Sequence, residues 1–360
     1  MTMTLSNRAW FALFLVAALV AFGLGLLTMG LAGRQSEVPG GQRTFVTPIG
    51  DQERDPAIWG INFPLEYRNW RRPSPALPTA STASAELFSG YGFARDFNRT
   101  RSGYPEGLHP ASCLDCHEPR SMKLRVGRKA FIDALSRRGI EIAKASDQDL
   151  RTYLCAQCHS TYAFGKDEAL DFPHEKGLKS EEVLKALDAR QTADWTHPGS
   201  GAPMLKLRGP SYELWSQGIH ASRGVTCTDC HMPYVREEGS RIASHQLHRP
   251  LRNPLEAQCA PCHRWPEGEL KARVQDIRAR HQELEQRAEA ALVSAHRAMA
   301  HHPDPEARRL LRQAQAHWDF VASEGSGGFH APQEAARNLA LAIDLARQAE
   351  LRVRSSSPAP

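Results

Sequence analysis

The sequence predicts a mainly α-helical fold, with short helices and loops in the middle of the chain and long helices in its C-terminal third. Proline and glycine recur throughout residues 56–265 and the hydrophobic periodicity there is poor, which favours short elements joined by loops. From residue 266 to residue 352, apolar and small residues recur at steps of three and four, as in helices that pack along one face. Only 8% of the residues are aromatic, so something else is expected to fill part of the interior.

All eight cysteines occur in C-x-x-C pairs, and a histidine follows each pair at once. Two thiols at this spacing reach the two vinyl groups of one porphyrin, and the next side chain then lies beneath the iron as its proximal ligand. Zinc sites and disulfides also use paired cysteines, but neither requires that histidine. Residues 56–265 are therefore predicted to form a tetrahaem domain, a multihaem cytochrome c fold of short helices and loops around stacked, covalently bound c-type haems. The attachment residues are Cys113, Cys116, Cys155, Cys158, Cys227, Cys230, Cys259 and Cys262, and the proximal ligands are His117, His159, His231 and His263.

The N-terminus predicts export. An uncharged apolar run, residues 9–33, lies between Arg8 and Arg34. It is longer than the core of a typical signal peptide and long enough to span a membrane, so a transmembrane anchor is favoured over a cleaved signal sequence. Residues 1–8 would stay in the cytoplasm, and the body would lie on the periplasmic or extracytoplasmic face, where c-type haem is attached. Residues 34–55 are predicted to be a polar linker.

The C-terminal region, residues 266–352, is predicted to contain three helices. The apolar stripe of the first indicates packing against a partner helix. A glycine-rich break at residues 325–328 separates the second from the third. Residues 353–360 are rich in serine and proline and are predicted to be a disordered tail. The three helices begin near Leu270, Pro305 and Pro332.

The formal net charge of +5 does not indicate a nucleic-acid partner. Nucleic-acid-binding chains carry basic clusters with interleaved aromatic residues, and this sequence has none. The propionates of four haems would also offset the positive charge.

The sixth ligand of each iron decides what that haem can do. A second histidine makes a low-spin electron-transfer haem, whereas an open position makes a site for chemistry. Many of the 16 histidines lie outside the attachment motifs, and those in irregular segments near a motif are favoured as distal ligands. These are His109, His220, His245 and His330.

Seven stretches carry a resemblance to a known family: residues 55–67, 88–98, 155–159, 203–206, 218–220, 226–233 and 329–332. Through them the chain resembles the ammonia-forming cytochrome c nitrite reductases over nearly its whole exported part. The resemblance implies a mainly α fold, a homodimer through the long C-terminal helices, and electron delivery from a quinol-linked membrane cytochrome or another redox protein. His220, His245 and His330 match family distal histidines. A fourth, just after the match at Asn98, is missing, and His109 is the candidate to replace it.

The chain departs from the family at the catalytic haem. Family members carry five haems, and the first, usually attached through C-x-x-C-K, is the catalytic one. This sequence contains no C-x-x-C-K, and only residues 99–112 separate the match at Asn98 from Cys113. The first motif here looks like the second haem site of the family. The resemblance therefore implies that the catalytic haem is deleted.

The surrounding active site departs as well. Tyr162 and Lys206 match family active-site positions, but Thr161 stands in place of an acidic calcium ligand. Arg208 replaces a calcium-site glutamine, and Gly209 replaces the catalytic histidine. Glycine cannot donate a proton to bound nitrite, and the added cation disfavours calcium. The sequence thus predicts an electron-transfer protein without calcium, and the alternative is a nitrite reductase that forms ammonium on a remaining haem.

Overall fold

The structure, a computed structural model, describes residues 15–23, 45–71, 82–91, 112–164, 169–247, 250, 255–300 and 304–356. The chain divides into two units, residues 1–46 and 47–360. In the first unit, residues 15–23 form a helical segment with exposed side chains. Among the described residues, no helix combines the length and apolar character needed to cross a membrane. Most of the predicted anchor, residues 9–33, lies outside the described residues, as do residues 1–8.

The second unit begins inside the predicted linker. The backbone N–H of Thr47 donates to Asn62 Oδ1 over 3.0 Å, and Asn62 Nδ2 donates back to the Thr47 carbonyl over 2.8 Å. Ile49 is buried in a small cluster with Trp59. The linker predicted to end at residue 55 therefore ends earlier, because this reciprocal pair and Ile49 tie residues 47–55 to the folded unit.

Short helices and loops build the middle of the chain, as predicted. The helix α1 has Asp55 as its N-cap, whose carboxylate accepts from Ala57 N at 2.8 Å, and proline at its first position. The helices are α1 Pro56–Asn62, α2 Pro64–Trp70, α3 Thr82–Leu87, α4 Cys113–Cys116, α5 Lys129–Arg137, α6 Asp147–Ala156, α7 Ser180–Ala189, α8 Ser211–Trp215, α9 Ile219–Ser222, α10 Cys227–His231 and α11 Leu255–Gln258, with a 3₁₀ turn at Ile142–Lys144.

In the part of the chain that the structure describes, three two-stranded antiparallel ribbons lie between these helices. The third ribbon is the longest, and its register pairs Tyr234 with Ala243 and Glu237 with Ser240. It carries the chain back toward α2, and His245 lies two residues after the end of its second strand. The strands are β1 Ala163–Phe164 with β2 Leu170–Asp171, β3 Trp195–Thr196 with β4 Pro203–Met204, and β5 Tyr234–Glu237 with β6 Ser240–Ala243.

Three long helices form the C-terminal third, as predicted: α12 Glu267–Met299, α13 Pro305–Ala322 and α14 Pro332–Ser356. They share the main hydrophobic core, in which Leu292, Leu311 and Leu339 are fully buried. Alanines are frequent at the contacts, and small side chains allow helices to approach closely.

The last helix runs further than the sequence predicts. Val353 is buried against the core, and the helix continues to Ser356. A tail starting at residue 353 is therefore placed too early, because Val353 continues the buried stripe of α14. Residues 357–360 lie outside the described residues.

Two buried histidines pack together where α12 meets the loop after β3. The ring centres of His197 and His296 lie 3.9 Å apart. His296 also binds Gln315 Oε1 through Nε2 at 2.8 Å and Ser200 Oγ through Nδ1 at 3.0 Å. Burial, followed by repulsion from His197, lowers the pKa of His296 to about 4, and burial also lowers the pKa of His197.

This pair predicts loss of stability in mild acid. Because the pKa of His296 is lower in the folded chain than its ordinary value near 6.5, the unfolded chain binds more protons between pH 6.5 and 4. The contribution is complete above pH 6.5 and falls by up to about 3 kcal/mol as the pH drops to 4. The measurement is the free energy of unfolding against pH for the wild type and His296→Gln. We expect a shallower slope for the variant, and an identical slope would contradict the prediction.

Candidate haem centres

Each C-x-x-C-H motif lies on a single helical turn. In three of them the histidine backbone N–H donates to the carbonyl of the first cysteine, and His117, His159 and His263 do so over 2.8–2.9 Å. In the remaining motif, the third along the chain, the helix α10 runs from Cys227 to His231 and so includes the whole motif. In the first and third motifs an aspartate inside the pair accepts from the backbone N–H of the residue before the first cysteine. This capping box fixes the turn and brings both thiols and the imidazole to one side.

Six of the cysteines are half-buried, and Cys158 and Cys262 are exposed. All eight cysteines are free thiols. Burial raises the pKa of Cys113 to about 11 and that of Cys230 to about 12. These neutral sulfur atoms stand where the thioether sulfurs of an attached haem would lie, and a thioether is likewise uncharged. The residues present therefore fit covalent c-type haem.

The four motifs follow one another in space in the same order as along the chain. Burial first, and then the proximity of both cysteines of the second motif, raises the pKa of Cys116 in the first motif. The thiol of Cys155 in the second motif lies close enough to that of Cys227 in the third for this neighbour, together with burial, to raise its pKa. Cys230 of the third motif lies near Cys259 and Cys262 of the fourth. The attachment sites thus form one continuous series.

Gln157, inside the second motif, joins it to the first. Its Oε1 accepts from the backbone N–H groups of Gly127 at 3.0 Å and Arg128 at 3.1 Å. Its Nε2 donates to the carbonyls of Asp115 at 3.0 Å and Leu154 at 3.1 Å. The side chain is buried with every one of these bonds made, so it fixes the first two motifs relative to each other.

Three proximal histidines each face a second histidine. The ring centres are 6.3 Å apart for His117 and His245 and 6.2 Å for His231 and His330. They are 6.3 Å apart for His263 and His220. A metal bound at about 2 Å by one nitrogen of each ring would separate the ring centres by roughly 6 Å. The spacing therefore suits an iron between each pair, and His220, His245 and His330 each lie opposite a proximal histidine.

The remaining ring nitrogens orient several of these imidazoles. His117 Nδ1 lies 3.1 Å from the Met122 carbonyl, and His245 Nδ1 lies 2.8 Å from the Ala243 carbonyl. A carbonyl accepts only from a protonated nitrogen, so Nδ1 carries the hydrogen and Nε2 is left for iron. The Nδ1 atom of His330 instead contacts the carboxylate of Glu324.

The second motif differs from the others. Within the part of the chain that the structure describes, no histidine ring faces His159. The fourth predicted distal ligand, His109, lies outside the described residues. Burial lowers the pKa of His159, which keeps the ring neutral, as iron ligation requires.

Among the described residues, four other histidines are buried and held by contacts with other side chains. His174 pairs with Glu213 at 2.7 Å, with both side chains fully buried. His317 Nδ1 lies 3.0 Å from Asn338 Oδ1. His197 and His296 form the packed pair described above. The hydrogen bonds and ring contacts of these four histidines indicate that they stabilise the packing of the fold.

The positions that match a family active site are occupied by buried ion pairs. Lys206 Nζ binds Asp319, which is 1% exposed. Arg208, 7% exposed, binds Asp194 Oδ1 at 2.7 Å. Aromatic rings surround its guanidinium group, whose carbon lies 5.6 Å from the ring centre of Tyr162. Lys206 and Arg208 therefore each form an ion pair with a carboxylate of the surrounding fold.

Two further aromatic rings lie near the guanidinium group of Arg208. The guanidinium carbon of Arg208 lies 5.6 Å from the ring centre of Phe164 and 6.0 Å from that of Tyr91. Arg208 Nη2 also donates to the Tyr91 hydroxyl over 3.1 Å. The sequence marks Arg208 only as a departure from the family, because the aromatic residues around it come from two separate segments, one with Tyr91 and one with Tyr162 and Phe164.

Comparison with known proteins gives consistent matches. The cytochrome c552 family model matches residues 102–359. A cytochrome c-552 from Bacteroides fragilis is 32% identical over 429 aligned residues, covering 97% of this chain and 86% of the relative. One from Aliarcobacter butzleri is 38% identical over 264 residues, covering 68% of this chain and 53% of the relative. The first alignment is longer than the 360-residue chain, so that relative contains internal residues that this chain lacks.

A solved structure shares the fold. The cytochrome c nitrite reductase from Desulfovibrio desulfuricans ATCC 27774 superposes with a TM-score of 0.77 and 25% identity, covering 86% of this chain and 88% of that one. The catalytic subunit of that reductase has two calcium sites.

Proposed function

The chain belongs to the cytochrome c552 family of multihaem c-type cytochromes, and from that premise we propose that it is a four-haem electron-transfer protein rather than a nitrite reductase. Membership of this family and the fold shared with a solved nitrite reductase confirm the predicted mainly α multihaem fold and the covalent binding of c-type haem. The number of haems, the absence of calcium and the restriction to electron transfer are our proposals.

The continuous series of attachment sites carries this proposal. A haem with two histidine ligands supplies one-electron transfer at its iron. Histidine rings face each other at a spacing that suits such a ligand pair at the first, third and fourth motifs, and cysteines of neighbouring motifs lie close together. Gln157 keeps the first two motifs in fixed register. This arrangement suits passage of electrons along the series from either end.

Several features support the loss of nitrite chemistry. The sequence has no C-x-x-C-K, and its relative from B. fragilis contains internal residues that this chain lacks. Gly209 stands where the resemblance requires a catalytic histidine. Lys206 and Arg208 are held by Asp319 and Asp194, so neither cation is available to a substrate anion. The buried guanidinium group of Arg208 also supports the absence of calcium, since calcium sites are built from oxygen ligands and a cation would repel the ion.

We propose a periplasmic body anchored by residues 9–33, with electrons supplied by a quinol-linked membrane cytochrome or another redox protein and no nucleic-acid partner. A homodimer through the long helices is also proposed. Support comes from the first half of α12, where Val274, Ile277 and Leu284 remain only half-buried within one copy. A second copy could cover this stripe.

The haem count tests the proposal directly. The mass of the purified holoprotein should exceed that of the chain by four haems, and reductive titration should consume four electrons per chain. Replacing both Cys155 and Cys158 by alanine should reduce each number by one. A count of five, or a count of four with fewer than four electrons taken up, would contradict the proposal.

One observation favours a second candidate, reduction of nitrite to ammonium on a remaining haem. No described histidine faces His159, so the second motif is where an exchangeable position would be found. We expect His109 to fill it, so the ferric wild type should show only low-spin electron paramagnetic resonance signals. His109→Gly should add a high-spin signal, whereas the control His301→Gly should not. A high-spin signal already present in the wild type would favour the second candidate.

A further inference from the structure

The distal ligand of the third motif has a carboxylate behind it. His330 faces His231 across 6.2 Å, and its Nδ1 atom is in direct contact with Oε1 of Glu324. The Glu324 side chain is fully buried. Neither of these two atoms makes a hydrogen bond to any other described residue, so each is committed to the other.

The loop that bears Glu324 holds this carboxylate in place. Its Oε2 accepts from the backbone N–H of Ser326 at 2.9 Å and from the Ser326 hydroxyl at 2.6 Å. The same hydroxyl accepts from the backbone N–H of His330 at 3.1 Å. Gly325 and Gly328 adopt φ angles of +88° and +78°, which let the chain turn tightly enough to bring His330 back to Glu324. The loop therefore positions one oxygen of the carboxylate at the imidazole.

In the first motif, main-chain carbonyls occupy the corresponding position. Both of its ligands, His117 and His245, direct Nδ1 at such carbonyls, those of Met122 and Ala243. A carboxylate withdraws the Nδ1 hydrogen more strongly than a carbonyl does, which makes the imidazole a stronger electron donor to iron. A buried negative charge near the iron also favours the more positive ferric state. Both effects act in the same direction.

We propose that Glu324 is a positioning residue that lowers the reduction potential of the haem held by Cys227 and Cys230. This inference rests on the proposed function, because it requires His330 to be an iron ligand. It concerns the one-electron reduction of ferric to ferrous iron, with the electron supplied by a neighbouring haem of the series. The third position in the series would then be a low-potential step between the second and the fourth.

The test is a spectroelectrochemical titration of the full-length holoprotein and Glu324→Gln. Glutamine keeps the size of the side chain and removes its charge. We expect one of the four potentials to rise by at least about 59 mV, which is a tenfold change in a one-electron equilibrium. The other three should stay in place. Glu324→Asp should restore part of the shift, and Glu283→Gln, an exposed position on α12, should move none of the potentials.

The outcomes separate this inference from the proposed function. Electron paramagnetic resonance of the ferric protein reports whether His330 remains a ligand, since its loss would add a high-spin signal. If the wild type carries four haems and low-spin signals but no potential rises in Glu324→Gln, the role of Glu324 is wrong while the proposed function stands. If Glu324→Gln fails to retain haem, Ser326→Ala decides, because it keeps the charge and removes the hydroxyl group that helps to hold the carboxylate. We expect a smaller rise of the same potential, and no rise would overturn the inference.

Discussion

Replacing Asp194 by alanine is expected to lower the free energy of unfolding by about 3–5 kcal/mol. The carboxylate binds Arg208 Nη2 at 2.7 Å and accepts from the backbone N–H of Lys206 at 2.9 Å. Arg208 is only 7% exposed, so water cannot replace the lost carboxylate. The cost comes mainly from leaving a buried cation without its counter-charge. Denaturant unfolding followed by circular dichroism measures it.

Two variants control this measurement. Arg208→Met combined with Asp194→Ala should recover most of the lost stability, because it removes the cation together with the carboxylate. Glu306→Ala breaks an exposed ion pair with Arg309 and should cost less than about 1 kcal/mol. A loss below about 1 kcal/mol for Asp194→Ala would show that the pair does not hold this region together.

Replacing His245 by glycine is expected to convert one low-spin haem into a ligand-binding haem. His245 faces His117 at 6.3 Å, and glycine leaves a space on that side of the iron. The ferric variant should gain a high-spin electron paramagnetic resonance signal. The ferrous variant should bind one more carbon monoxide per chain than the wild type. Added imidazole should reverse both changes.

The control for this variant is a buried histidine that bonds elsewhere. His317 contacts Ser180 and Asn338, so His317→Gln should leave the haem spectra unchanged. If His245→Gly behaves like His317→Gln, then His245 is not an iron ligand, and the assignment of ligands from ring spacing fails.

The sequence predicts the features that depend on local spacing. The C-x-x-C-H motifs identify eight sulfur attachments and four proximal ligands, because one helical turn sets their relative positions. Helix periodicity gives the three long helices with their starts close to the observed ones. The resemblance to a family supplied His220, His245 and His330, and the structure pairs each with a proximal histidine.

Other features depend on contacts between distant segments and were not predicted. Gln157 lies inside a motif, yet its bonds reach Asp115 and Gly127 in another part of the chain. The pairing of Glu324 with His330 requires the glycine turns between them. The ends of the linker and of α14 differ from those expected because Ile49 and Val353, apolar residues in largely polar segments, are buried in the fold.

The central claim is that this chain carries electrons and does not reduce nitrite. Its most direct test is ammonium formation from nitrite by the purified holoprotein, with a reduced low-potential dye as donor and a five-haem nitrite reductase assayed in parallel. We expect the dye to reduce all four haems while turnover stays at least a hundredfold below that of the reductase, since loss of a catalytic acid alone costs roughly a hundred- to ten-thousandfold. Ammonium formation at a rate similar to that of the reductase would contradict the account and would require a catalytic haem among the four.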